Sequence, residues 1–216
     1  MKQSFAQQFL PLAIKQKSQL MVGNANELAY KYLIERNNWL THVCFLAGEE
    51  GSGKTMLAYE WRHKFNAIDI DLFNYTPAMQ LGKNYYLIDD LPSFDSLHQP
   101  LFNLINAIKN AGAKLLLCSS NTPSYYPTQL ADLSSRLKAA DFVEISSPDD
   151  AMLKAVMLAH LAAKQLKVEG QLLDYLLKRI NRSCKEAVAV LDELDEYSQS
   201  LNAEITINMA KIALNF

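Results

Sequence analysis

Positive charge is in short supply in this sequence: 21 Lys and Arg stand against 23 Asp and Glu, a formal charge of −2 over 216 residues. A protein that grips duplex DNA unaided carries a basic surplus with which to displace counterions from phosphates. Autonomous duplex binding is therefore not expected. Cysteine is scarce too. Cys44, Cys118 and Cys184 lie far apart among apolar or helical residues. That fits neither a disulfide framework nor a zinc pattern, and reads as buried, reduced thiols in a cytoplasmic protein. No window approaches the roughly 18 consecutive apolar residues of a membrane-spanning helix, so no membrane role is expected. The opening stretch MKQSFAQQFLPLAIKQ has a short apolar run broken by Pro11 and no small-residue cleavage site, so a signal peptide is not expected either. Internal repeats and low-complexity tracts are missing as well.

What remains is 50% apolar and 20% charged, the composition of a soluble globular protein with a real core. The length corresponds to about one and a half domains at roughly 150 residues each. The apolar run His42 to Ala47 ends at glycines and reads as a buried strand. Gly53 to Lys64 then has helical spacing through Met56, Leu57 and Trp61. Ala67 to Leu72 is a second strand candidate, and Tyr85 to Ile88 a third that ends in Asp89-Asp90. Leu97 to Ala111 repeats Leu101, Leu104, Ile105 and Ile108 at helical intervals, with Gly112 as its stop. Lys114 to Cys118 and Phe142 to Ile145 supply a fourth and a fifth strand. Strands alternating with helices predict a central parallel five-stranded sheet covered on both faces. After Ser147-Pro148-Asp149-Asp150 four helical patterns follow, at 149–165, 170–180, 184–198 and 204–214. The expected division is an arm at 1–17, an α/β nucleotide-binding domain at 18–147 and an all-helical lid at 148–216.

Gly48-Glu49-Glu50-Gly51-Ser52-Gly53-Lys54-Thr55 is a complete P-loop at the junction of predicted strand and predicted helix. Glycines there let successive N–H groups curl round a phosphate while the helix presents its positive end. Lys54 supplies a point charge to the β- and γ-phosphates, and Thr55 a hydroxyl to Mg²⁺. ATP or ADP with magnesium is thus the expected cofactor. Asp89 closes a strand 35 residues beyond Lys54, where a second magnesium-holding carboxylate belongs. Asp90 beside it is placed to orient an attacking water, although two acids closing a strand also serve simply to cap the next loop. Ser119-Ser120-Asn121 closes the fourth strand with polar groups near the γ-phosphate, and a plain turn before Pro123 would read the same. Arg136, just before the fifth strand, has solvated surface charge as its default reading.

Taken together, these motifs resemble the AAA+ proteins of the DnaA/Hda family, over nearly the whole chain. Leu20-Met21-Val22-Gly23-Asn24-Ala25-Asn26 looks like the segment that lines the adenine site in that family, which assigns Val22 and Gly23 to the cofactor. Asp89-Asp90 resembles its acidic strand end, Cys118-Ser119-Ser120-Asn121-Thr122-Pro123 its sensor I region, and Ser135-Arg136-Leu137 the motif that carries its arginine finger. Asn181 to Leu194 resembles its sensor II helix. Within the family the chain looks closest to the Hda-type regulators, in the short form of alphaproteobacteria. No basic helix-turn-helix domain is expected beyond the lid. The short span from Lys54 to Asp89 has no room for the extra helices with which initiators grip single strands. Gln7-Gln8-Phe9-Leu10-Pro11-Leu12 resembles the peptide by which such regulators dock on the sliding clamp, the beta subunit of DNA polymerase III, through Gln7, Leu10 and Leu12.

The resemblance implies a regulator that, bound to clamp and nucleotide, prompts DnaA to hydrolyse its ATP and so prevents re-initiation. A homo-oligomer stays open. Two departures bear on enzymatic activity. The sensor II position is Lys185 where the family has arginine, so a bidentate fork becomes a point charge. The sensor I position, best matched by Ser120, lacks the acid of the initiators. Both imply a weak ATPase at most. The alternative functions are a DnaC-type helicase loader or an initiator-paralogue ATPase with its own cycle, and a scaffold that uses nucleotide only to fold.

Overall fold

The computed structural model describes residues 15–17, 20–36 and 38–215, so the clamp-peptide residues Gln7, Leu10 and Leu12 lie outside the described residues. Two compact units share the chain. One is Asn26–Ser146; the other takes Ser147–Phe216 together with the residues up to Ala25.

In the first unit a short helix α1 (Glu27–Tyr30) continues with wider, π-type winding over Lys31–Arg36. Strand β3 (Val43–Gly48) follows, then helix α2 (Lys54–Phe65), a two-residue strand β4 (Ile68–Asp69) and strand β5 (Tyr85–Ile88). Helix α3 (His98–Ala111), strand β6 (Lys114–Ser119), helix α4 (Ala131–Lys138) and strand β7 (Asp141–Ile145) complete it. The five strands lie in the order β4-β5-β6-β3-β7, every neighbouring pair parallel. Strand β3 is buried throughout and β6 from Leu115 onward, as their unbroken apolar runs require of strands covered on both faces. The expected parallel sheet is the observed one.

Local chemistry explains where the elements stop. Helix α3 turns off at Gly112, whose φ of 63° suits glycine, and the Ala113 amide reaches back to the Ile108 carbonyl at 3.0 Å. The strand expected over Ala67 to Leu72 is shortened to Ile68–Asp69. Asp71 takes the Phe73 amide at 2.9 Å and the Asn74 side chain at 2.5 Å, so the backbone turns where an extended run was expected. Trp61 of α2 stacks on Trp39 at 5.4 Å and meets Tyr85 edge-on at 5.7 Å, which fixes the helix on the sheet.

At the opposite end of the sheet from the P-loop, one carboxylate ties three segments together. Asp141 accepts from the Tyr32 hydroxyl at 2.5 Å, the Thr41 hydroxyl and amide each at 2.7 Å, and the Leu40 amide at 3.2 Å. Burial pushes the Asp141 pKa up, but these four bonds overcome it and hold the carboxyl below its ordinary value. A carboxyl held low stabilises the fold above the ordinary carboxylate range and stops doing so as pH falls through its folded-state value. Asp141→Asn should therefore cost about 1–3 kcal/mol at neutral pH by urea titration. The difference from wild type should shrink below about pH 4. A gap that persists unchanged into acid would show that the charge is not what matters.

The second unit opens with the antiparallel pair β1 (Lys15–Lys17) and β2 (Leu20–Val22). Its helices are α5 (Asp150–Ala163), α6 (Gly170–Leu177), α7 (Cys184–Leu201) and α8 (Ile207–Ala213). Three of them start on a side-chain cap: Asp149 accepts from the Met152 amide, Ser183 from Glu186 and Thr206 from Met209. Met21 of β2 packs on Met152 and Ala155 of α5. Leu153, Met157, Leu172, Leu176, Leu191 and Leu194 make the main core of the unit. Lys164 bridges Asp192 at 2.6 Å and Asp195 at 3.0 Å, pinning α5 to α7.

Candidate functional site

The carboxyl ends of parallel strands are where open α/β sheets place their ligands. Here β3 runs into the Gly48–Thr55 loop at that edge. A Cβ on Gly48 would lie 2.7 Å from the Ser52 hydroxyl and 2.9 Å from the Ile145 carbonyl of β7, so only glycine lets the loop pass so close. Gly51 (φ 75°) and Gly53 (φ 100°) take left-handed conformations that suit glycine. The Ser52 amide donates to the Glu49 carbonyl at 3.1 Å, and the buried Ser52 hydroxyl has no hydrogen-bond partner. Lys54 curls over the loop and donates to the carbonyls of Gly48 at 2.7 Å and Glu49 at 2.9 Å. Thr55 is exposed in the first turn of α2. That helix starts at Gly53 with no side-chain cap and no acid in its first turn, leaving its amide end to an anion.

Asp89 follows Ile88, which pairs with Leu117 of β6, and so stands level with Cys118; Cys118 in turn pairs with Leu46 of β3. The carboxylate thus ends a strand two places from the one that feeds the loop. The Cys118 thiol registers both groups. Burial drives its pKa well up, the neighbouring Asp89 charge and a hydrogen bond to that carboxylate add to the rise, and the Lys54 ammonium opposes it. Asp89 and Lys54 are therefore within electrostatic reach of one buried sulfur. Asp90 adopts a φ of 65°, a conformation aspartate tolerates better than most residues, and the chain turns there so that the Leu91 amide bonds the Cys118 carbonyl at 2.6 Å. Ser119 is the last residue of β6, buried, its hydroxyl accepting from the Asn121 amide at 3.1 Å, and Ser120 is exposed just beyond.

Arg136 sits on α4, an element that the sequence reading left unassigned. Leu133 and Leu137 bury one face of this helix, and Arg136 lies half-buried beside them. Its guanidinium rests over the Phe102 ring of α3 at 4.9 Å. Among the described residues no carboxylate pairs with it. Aromatic contact holds the group without using its N–H donors, which stay free for an anion. Phe102 was legible only as an apolar position on a helix. Cys118 was legible as a buried thiol at the head of the segment resembling sensor I, not as a neighbour of Asp89 and Lys54.

The remaining expected cofactor residues belong to the other unit. Val22 ends β2 and Gly23 follows it, both buried. Lys185 is exposed in the first turn of α7. The turn before it is braced by Glu186, which accepts from the Asn181 amide at 3.0 Å and side chain at 2.8 Å, and by the Arg182–Asp150 ion pair at 3.1 Å.

The loop fits a nucleotide phosphate: an uncapped helix start, glycines in left-handed conformations, a lysine and a buried hydroxyl without a partner. Mg²⁺ fits as well: it takes one or two protein oxygens and completes its shell from phosphates and water. Thr55 and Asp89 are the two residues that the sequence assigns to it. Among the described residues no cluster of three His, Cys, Asp or Glu offers an all-protein metal cage.

Comparisons with known proteins agree on one neighbourhood. The family model described as the lid domain of Hda matches residues 149–214. An uncharacterized protein of Haemophilus influenzae is 28% identical over 95% of this chain and 98% of its own. The chromosomal replication initiator protein DnaA of Buchnera aphidicola is 26% identical over 89% of this chain, which spans only 51% of that DnaA. In structure, domain III of the Thermotoga maritima replication initiation protein DnaA superposes with a TM-score of 0.78 at 17% identity, covering 91% of this chain and 94% of that one. AMPPCP-bound DnaA from Aquifex aeolicus gives a TM-score of 0.64 at 20% identity, over 82% of this chain and 63% of that one. At such identities the structural likeness concerns the fold. No helix among the described residues is long and apolar enough to cross a membrane.

Proposed function

Because the chain belongs to the DnaA/Hda family of AAA+ proteins, we propose that it is a nucleotide-bound regulator of chromosome replication that promotes hydrolysis of ATP held by DnaA. The observation that carries this reading is Arg136: a half-buried guanidinium, positioned on an aromatic ring, with no carboxylate partner among the described residues. An arginine kept for its own fold would be expected to pair with an acid. One kept for a phosphate on another molecule has to leave its donors open.

The chain's own P-loop holds ADP or ATP through Lys54, Ser52 and the loop amides, with Thr55 and Asp89 at magnesium. Bound metal and phosphate supply charge neutralisation at that loop. Val22 and Gly23 keep the adenine-lining role that the resemblance implies, and Lys185 faces phosphate as a point charge rather than as a fork. Asp90 and Ser120 are the groups placed for self-catalysed hydrolysis. With Lys185 in the sensor position that activity is weak. The nucleotide then acts as a structural ligand, and the chemistry the chain promotes is on DnaA.

Clamp docking falls to Gln7, Leu10 and Leu12. A glutamine with two leucines on an extended peptide binds through a few anchors that carry most of the energy. Surface plasmon resonance on immobilised clamp should show binding by the full chain. Gln7→Ala with Leu10→Ala should weaken it by about 100-fold, at roughly 1–2 kcal/mol per anchor. Clamp binding that survives the double change would remove the arm from the interface.

The function itself is tested by single-turnover decay of ATP preloaded on DnaA, with clamp-loaded DNA. Decay should accelerate when the chain is added, and more so with clamp than without. An unchanged decay rate would overturn the proposal.

A further inference from the structure

Two phenylalanines stand out on the α/β unit. Phe73, on the loop after β4, is 64% exposed, and Phe94, on the loop after β5, is 62% exposed. Their rings meet at a tilt of 55° with centroids 6.1 Å apart. A lone exposed apolar residue needs no explanation, but two aromatic rings from separate loops, brought together in solvent, form a patch that invites a partner.

The patch is presented rigidly. Asp71 takes the Phe73 amide at 2.9 Å, and the Asn74 amide reaches the Asp71 carbonyl at 3.2 Å. On the other loop the Tyr126 hydroxyl donates to the Pro92 carbonyl at 2.5 Å, and the Leu97 amide closes onto the Phe94 carbonyl at 2.9 Å. Loops whose backbone is already braced lose less entropy in an encounter than loose ones.

Charge selects the partner. Asn66 to Leu97 holds Asp69, Asp71, Asp89, Asp90 and Asp95 against Lys83 alone. Arg62 neutralises Asp69 at 3.1 Å. Asp71 and Asp95, which bracket the two rings in sequence, are exposed, as is Asp90. Asp95 also lies 3.5 Å from the His98 ring, and Asp71 accepts from the Phe73 amide and Asn74, but no Lys or Arg pairs with either among the described residues. A single-stranded nucleic acid also stacks on aromatic rings, but its groove is lined with cations, and its phosphates would be repelled here. A protein segment with an apolar anchor flanked by Arg or Lys satisfies both features, the anchor packed on the exposed surface of the ring pair and the cations on the carboxylates.

We propose that Phe73 and Phe94 form a docking site for a basic, apolar-anchored segment of a partner protein. The site uses neither Arg136 nor the clamp-peptide residues. Its test uses the full chain with ADP and a phage-displayed library of random peptides, counter-selected on the Phe73→Ser/Phe94→Ser variant. Enriched peptides should carry an aromatic or branched aliphatic residue flanked by at least two Arg or Lys. By fluorescence anisotropy such a peptide should bind the double variant at least about 10-fold more weakly. Because both rings are exposed, the variant should keep the wild-type melting temperature; if it does not, Phe94→Ser alone serves in its place. Raising the salt on the wild-type chain should weaken the same peptide, a measurement that needs no variant at all. Enrichment of acidic or uncharged peptides, binding indifferent to the phenylalanines or to salt, or tighter binding of oligothymidylate than of any selected peptide would each overturn the proposal.

Discussion

Arg136→Ala should leave nucleotide affinity and clamp binding at their wild-type values and cut the stimulated hydrolysis of DnaA-bound ATP by about 10³-fold or more. As the bond to the leaving group breaks, negative charge gathers on the γ-phosphate oxygens. A guanidinium supplied by a second protein stabilises that charge through two parallel hydrogen bonds. Lys138, two residues on, is exposed on the same short helix and has only an ammonium. Arg136→Lys should for that reason recover little. Phe102→Ala probes the same contact from beneath. It frees the guanidinium to wander, and should reduce stimulation by about 10-fold while leaving the arginine itself in place. The measurement is single-turnover decay of ATP on DnaA, with calorimetry on the isolated chain as the control for ADP binding. Stimulation by Arg136→Ala equal to wild type would remove the finger from the mechanism. The chain would then be better described as a tether.

Lys54→Ala should weaken ADP binding by at least about 100-fold, close to 3 kcal/mol, without lowering the melting temperature of the nucleotide-free protein. Two features of the loop set this expectation. The loop is held by its glycines and by the approach of Gly48 to Ile145, not by the lysine, so its shape survives the change. The carbonyls of Gly48 and Glu49 that Lys54 bonds lose only an exchangeable donor at a partly solvated position. What disappears is the one cation that the loop itself turns toward a phosphate. Isothermal titration with ADP and magnesium checks the affinity, and thermal melting checks the fold. Undiminished ADP affinity would place the nucleotide elsewhere.

Much of this architecture could be read from the residues because the relevant signals are local. An unbroken apolar run ending in glycine or in paired aspartates marks β3 and β5, and four-residue spacings mark α3 and the lid helices, several with a capping residue at the start. Where the signal is weak the reading fails. Helix α4 has only Leu133 and Leu137 to announce it, too few for a periodic pattern. The run from Ala67 to Leu72 looks extended until Asp71 recruits its neighbours' donors into a turn, a competition that hydrophobicity alone does not register. The contacts that give the candidate site its character were least accessible. Arg136 meets Phe102, and Asp89 meets Cys118, across many residues of intervening chain, and no spacing rule encodes which ring lies under a guanidinium or which thiol lies beside a carboxylate.

The packing of Met21 against Met152 and Ala155 has a consequence for how the protein comes into being. The helical unit is sewn from two stretches of chain, with the whole of Asn26–Ser146 synthesised between them. A ribosome making roughly 5–20 residues per second delivers β2 many seconds before the helix it must pack against. Through that interval Leu20, Met21 and Val22 have no α5 to cover them, while the strands of the sheet emerge one after another, all ahead of α5. The α/β unit should thus be able to complete itself first, and the helical unit to close last. Loop closure over so long a connection adds little further entropy, since its cost rises only with the logarithm of length. A fragment beginning at Ser147 would fold its four helices with the Met21 niche on α5 bare, an apolar strip that invites self-association in the absence of its missing strand.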